Sequence, residues 1–437
     1  MRNATILTGA VKQVADLADA DHLSDAALAS RVAGIISRPR QQPADSFVLH
    51  APLELAARVG LLPFVRPDAR PLARRRLVLL AEKYGGAEPL IAGPSPASSD
   101  LDRAAADLGR AIDAGDLDAV DVAAWTLGHH GSAPQLRRLL SAKIAPRLSA
   151  AAHGSIFLYQ LPRVAPRGEL SGELLRPLAR ELARHPDWTL GWIDGLSAAR
   201  PERDPRAVPA ASAAAGDDGG LFAAIAATPQ LGISGGTSIH PIMSQVDRPE
   251  VAGSLLSDAV STAEPLAGAR AITRAAAWSM LQEPVFFAPY GWSHALTMSQ
   301  AVLGIGRWVG EPSRVLAIAA TYVIGFRAAL ASVPLSMTFD HVDPGVDVGG
   351  ELVSPECDPD RAAAAAWHVV GGERREALIA DLATFASVSH DAHLVKHTLA
   401  CLDASAADPD CSRLYLAAAA KLAGLWASTG DPQDPLV

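Results

Sequence analysis

Cysteine is scarce in this chain. Three residues in 437, Cys357, Cys401 and Cys411, are too few and too scattered for a disulfide framework or a zinc knuckle. Their scarcity points to a reducing compartment, so a cytoplasmic protein is expected. An excess of basic residues is also missing. The net charge is −9, which argues against a nucleic-acid surface, because phosphate binding needs a basic stripe. The clearest basic knot, Arg70, Arg74, Arg75 and Arg76, reads as a solvated helix face. No run of about 18 apolar residues is free of charges or breakers, so no membrane span is expected. The N-terminal residues lack a long uncharged stretch, so no signal peptide is expected. Aromatic residues make up only 5% of the chain against 49% hydrophobic. The core must then be built from Ala, Leu, Val and Ile, which favours closely packed helices.

Sustained strand-like alternation is absent, and the chain reads as helix after helix. Ser24 predicts an N-cap for a helix over 24–36, with Asp25 in its first turn. Further helical runs fall at 52–62, 70–84, 101–114, 117–127, 132–145 and 172–183. Others begin at Leu221, Arg248, Glu264, His294, Arg314 and Arg361. The expectation is an all-α fold, a large multi-helix single catalytic unit over 1–437 with long irregular loops. Residues 200–220 read as a mobile loop or linker, and 334–360 as a lid-like loop. No P-loop is present. Gly304-Ile305-Gly306-Arg307-Trp308-Val309-Gly310 fails as a dinucleotide fingerprint, because its third glycine is one place late and it follows a helix.

Histidine is where the chain becomes informative. Ser389-His390-Asp391-Ala392-His393-Leu394-Val395-Lys396-His397 puts three imidazoles and one amine into an otherwise apolar helical run. His393 and Lys396 lie about 60° apart on one helix face. Three other histidines stand alone among small and apolar residues: His50 in Val48-Leu49-His50-Ala51-Pro52, His153 in Ala152-His153-Gly154, and His294 in Trp292-Ser293-His294-Ala295. His50 reads as the head of an apolar helix. Burying a polar ring without a partner costs a few kcal/mol. Four such rings are most simply satisfied by one shared metal ion. An ammonium cannot ligate a metal, but burial favours the neutral amine. Phe286, Phe287, Tyr290 and Trp292 beside His294 suit a pocket or a core equally well.

This ordered set resembles the questin oxidase-like family, helical oxidoreductases of aromatic polyketide metabolism. The resemblance rests on His50 in its apolar helix, His153 to Leu158, Phe286-Phe287 with His294 and Thr297, and Asp391-Ala392-His393 with Lys396. It implies a mononuclear non-heme Fe(II) held by His50, His153, His294, His393 and a carboxylated Lys396, with His240 as the alternative third histidine. Five such ligands, each monodentate, leave one octahedral position, which suits O2 as co-substrate with the organic substrate beside the iron. The implied reaction is oxidative cleavage or rearrangement of a ring in a phenolic or quinonoid polycyclic polyketide. With no nicotinamide fingerprint, any NADPH requirement would belong to a separate reductase.

Two other readings remain open on the sequence. The adjacent His390-Asp391 pair suits a metal-dependent phosphohydrolase, although the other histidine segments offer only Glu54 as a carboxylate. A non-catalytic helical scaffold would keep every histidine satisfied in the core.

Overall fold

Helix ends in this chain follow its capping residues. In a computed structural model of the protein, the described residues are 20–37, 46–85, 94, 99–165, 171–198, 217–232, 236–369 and 372–430. Ser24 accepts from the Ala27 amide at 3.2 Å and opens α1 (Asp25–Ile36). Helices α2 (Ser46–Leu61) and α3 (Arg70–Gly85) follow. Asp100 caps α4 (Leu101–Ala114), and Gly115 ends it at φ +67°, a conformation that glycine adopts without steric cost. Asp116 then caps α5 (Leu117–His130), and Ser132 with Gln135 forms a capping box at α6 (Ala133–Ile144). The chain continues through α7 (Gly154–Val164), α8 (Ser171–Arg184), α9 (Leu221–Ala226), α10 (Ile239–Val246), α11 (Ser254–Thr262) and α12 (Pro265–Gln282). It ends with α13 (Ser293–Ile305), α14 (Pro312–Leu330), α15 (Val348–Leu352), α16 (Pro359–Trp367), α17 (Gly372–Val388), α18 (Ala392–Ala407) and α19 (Ser412–Thr429).

The fold is all-α: 77% of the described residues are helical and none is in a strand. Only an isolated antiparallel bridge joins Arg147 and Thr189. Buried Ala, Leu, Val and Ile from α1 to α19 form one connected core. Small residues bring the helices close together. A Cβ at Gly60 would stand 2.8 Å from Leu399, so glycine lets α2 close on α18. Helix α14 is long and apolar enough to cross a membrane, with mean hydropathy 1.4, but 78% of that stretch is buried against other helices. Its buried Arg327 faces the buried Glu283.

Several expectations need correction. The arginine knot is solvated only in part: Arg75 is exposed, Arg70 and Arg74 pair with Asp25, and the buried Arg76 donates to the Val388 carbonyl. His50 lies inside α2 and not at its head. Helices α10, α17 and α19 were not anticipated as separate elements. Of 200–220, residues 200–216 lie outside the described residues, and the rest leads directly into α9. The 334–360 stretch is irregular but carries the short α15, where Glu351 pairs with Arg361. It borders a cleft of about 650 Å³ lined by Glu283, Phe339, Asp340, His341 and Lys421, among others. None of the five proposed ligands lines that cleft.

Candidate metal centre

Four helices from distant parts of the chain close into a ring. Helix α2 packs on α7 and α18, and α13 packs on the same two partners. Each contributes one imidazole: His50 from α2, His153 at the N-cap of α7, His294 in the first turn of α13, and His393 in the first turn of α18. Lys396 lies one turn beyond His393.

The imidazoles follow the same circuit as their helices. Ring centroids are 4.8 Å apart for His50–His153, 5.6 Å for His153–His294, 5.0 Å for His294–His393 and 4.9 Å for His393–His50. Neighbouring rings meet edge to face. Ligand nitrogens of His50, His294 and His393 all lie within 4.8 Å of one another. The Nε2 atoms of His50 and His153 are 3.2 Å apart. That is the length of a direct N–H···N hydrogen bond between the two rings, and it is also close to the roughly 3.0 Å expected between two cis ligands at about 2.1 Å from one metal ion.

The outer ring nitrogens set the tautomers. His294 Nδ1 lies 2.6 Å from the Tyr290 carbonyl, and His153 Nδ1 lies 3.1 Å from the Ala150 carbonyl. A carbonyl only accepts, so both Nδ1 atoms carry the hydrogen and both Nε2 lone pairs point inward. His153 is placed by an unusual turn. Ala150, Ala151 and Ala152 have φ of +55°, +48° and +54°, a left-handed conformation that costs an alanine about 1–2 kcal/mol each. Strain of this kind concentrates at functional sites.

Electrostatics keep the donors uncharged. Burial holds the His50, His153, His294 and His393 imidazoles well below their ordinary range, and the nearby Lys396 amine adds to the effect. Burial also pushes the Lys396 amine down to about 8, against the pull of Asp391 and Glu54. Among the five proposed ligands, His294 Nε2 and Lys396 Nζ are buried with no hydrogen-bond partner, as is Glu54 Oε2 on α2. Two unsatisfied buried nitrogens of this kind leave room for a positively charged ion among the donors.

No family model, curated protein or solved structure matches the chain.

The other titratable groups have different tasks. Asp391 Oδ1 accepts from the Leu394 amide at 2.7 Å and caps α18, while the neighbouring His390 ring packs edge-on to Trp426. The His390 ring thus faces Trp426, while Asp391 Oδ2 lies 3.8 Å from His393 Nδ1, so the carboxylate adjoins the histidine circuit. His240 does not join the ring; it stacks on Trp188 at 3.7 Å. His397, pushed down to about 4 by burial, contacts Cys401 Sγ at 3.4 Å. His129 and His130 close the C-terminus of α5, as their position before Gly131 suggests. The aromatic group divides: Trp292 is buried in the core, whereas Phe286 and Tyr290 are exposed. Sequence reasoning missed the Tyr290 carbonyl and the left-handed alanine turn. Nothing in a run of alanines announces positive φ.

Proposed function

We propose that the protein is a mononuclear non-heme iron oxygenase that opens or rearranges a ring of a phenolic or quinonoid polycyclic substrate with dioxygen. The observation that carries this reading is the closed circuit of four neutral imidazoles with a partnerless buried amine beside it. His50, His153, His294 and His393 would supply neutral nitrogen donors. Lys396 would supply the anion as a carbamate: its neutral nitrogen adds to the carbon of carbon dioxide and releases one proton. That donor set, four borderline nitrogens and one hard oxygen ligand, suits iron(II). When bound, iron(II) supplies one-electron chemistry with dioxygen, which ring carbons of a phenol do not otherwise undergo readily.

The chain's own residues do the rest. The Tyr290 and Ala150 carbonyls hold two imidazoles in the ligating tautomer. Buried apolar packing excludes water around the donors, which strengthens their hold on a charge. The phenolic substrate class and the dioxygen requirement come from the family resemblance.

Metal analysis of the protein as purified, followed by oxygen uptake with phenolic substrates, tests the reading. One iron per chain is expected in the wild type and in His240→Ala, with marked loss in His294→Ala and His393→Ala. Asp391→Asn, which keeps the helix cap, should retain iron. Full iron retention in His393→Ala sinks the assignment. Zinc, manganese or magnesium in place of iron, with no oxygen uptake, returns the argument to a hydrolase.

A further inference from the structure

Tyr290 stands where the histidine circuit meets the surface. Its ring is edge-on to His393, with centroids 4.7 Å apart and an interplanar angle of 78°. Tyr290 is nonetheless 45% exposed, whereas His50, His153, His294, His393 and Lys396 are each 7% exposed or less. One side of the phenol therefore covers a proposed ligand while the other faces water. Among the described residues, no other aromatic side chain packed on the four histidines combines these two properties; Phe326, stacked on His294, is fully buried.

The backbone beneath Tyr290 is held firmly. Ala288–Trp292 forms a π-helical turn, a form that recurs at functional sites. The Tyr290 carbonyl takes the His294 Nδ1 hydrogen, and a Cβ on Gly291 would come within 2.5 Å of Leu330, so the turn is pressed onto α14. The backbone is thus fixed by its neighbours, while nearly half of the side chain stands in solvent. Beside it Phe286 is 81% exposed and meets Phe287 edge-on at 4.9 Å. An exposed phenylalanine next to an entrance gains burial when a flat apolar ring lands on it.

We propose that Tyr290 is the entrance residue of the centre: its ring closes the approach to His393, and a flat aromatic ring enters by displacing it and settles against Phe286. The aromatic class of the entrant rests on the proposed function. The closure itself rests on the geometry alone. Tyr290 is a positioning and specificity residue here, since its side chain is not among the donors.

The test is carbethoxylation of metal-free protein by diethyl pyrocarbonate, followed residue by residue with peptide mass spectrometry. The exposed His341 should react fast in every variant, and His393 slowly in the wild type. Tyr290→Ala should raise the His393 rate about tenfold, a local opening made ~1.4 kcal/mol easier. Tyr290→Phe, which keeps the ring, should react as the wild type does. An unchanged His393 rate in Tyr290→Ala overturns the proposal, and so does a Tyr290→Phe rate as high as that of Tyr290→Ala. An equal rise at His397 would indicate a loosened core in place of an opened entrance, and would also overturn it. In metal-loaded protein, Phe286→Ala should raise KM for a phenolic substrate, and an unchanged KM would overturn the place of Phe286 in the entrance. If the wild type takes no iron, the proposed function fails while the carbethoxylation result still decides the role of Tyr290.

Discussion

An amine with no acceptor is the chemical oddity of Lys396. A lysine in water is neutral in about one molecule in a thousand near pH 7.5, whereas one pushed to about 8 is neutral in roughly a quarter. Only the neutral form attacks carbon dioxide. The initial rate of carbamate formation in metal-free protein at fixed dissolved carbon dioxide should therefore rise about tenfold per pH unit until about pH 8 and then level off. Carbon-13 NMR with labelled carbon dioxide reads this directly. The signal assigned to Lys396 should vanish in Lys396→Arg, which keeps a charge but offers no reactive amine. Identical carbamate spectra in the two proteins would remove Lys396 from the site. The sequence already singled out this lysine, because one turn of helix places it near His393 among apolar neighbours. It could not show that the amine lacks a partner, since that depends on what other helices fail to bring there.

At the scale of elements, the centre depends on how α17 turns into α18. The last carbonyls of a helix need outside donors. Here they come from two distant helices. Arg58 of α2 donates to the Ser387 and Ser389 carbonyls, both at 2.9 Å, and Arg76 of α3 donates to the Val388 carbonyl. The guanidinium of Arg58 also holds Glu54 Oε1 through Nε at 2.8 Å and Nη2 at 2.6 Å. Both partners are buried. Arg58→Met leaves a buried carboxylate unpaired and should cost about 3–5 kcal/mol. The double variant Glu54→Leu, Arg58→Met removes both charges and should recover much of that loss. Urea unfolding of Arg58→Met, Glu54→Leu and the double variant checks the cycle, and a double variant no more stable than Arg58→Met would mean that the carbonyl bonds dominate. These features also mark the limit of what could be read from the chain. Helix α4 was legible to the residue, because Asp100 and Gly115 are local stop signs. Helix α17 was not, because its end is satisfied by arginines about three hundred residues earlier. The three alanines before His153 are good right-handed helix formers, and only the tertiary fold makes them left-handed.

At the scale of the molecule, four helices from separate quarters of the chain bury four imidazoles together, and this ties folding to acidity. Each folded-state imidazole is held well below its ordinary range, so it stays neutral when the unfolded chain takes up a proton. Stability rises with pH wherever the unfolded state binds more protons. The contribution is complete above the ordinary histidine pKa of about 6.5 and declines as pH falls below it. Each ring weakens the folding equilibrium by up to about tenfold per pH unit in that range, and the four act in the same direction. Asp381, Asp391 and Asp403 oppose the trend, because burial pushes their carboxyls up and the folded state then binds the extra protons. They act from the ordinary carboxylate range upward, so their effect is largest at lower pH. The urea midpoint of metal-free protein should therefore fall steeply between about pH 7 and pH 5.5. His153→Phe should make that fall shallower, because it removes one imidazole from the circuit. A midpoint that stays level across this range would mean that the four rings are protonated and paired in the folded protein, and the neutral donor set would then have to be abandoned.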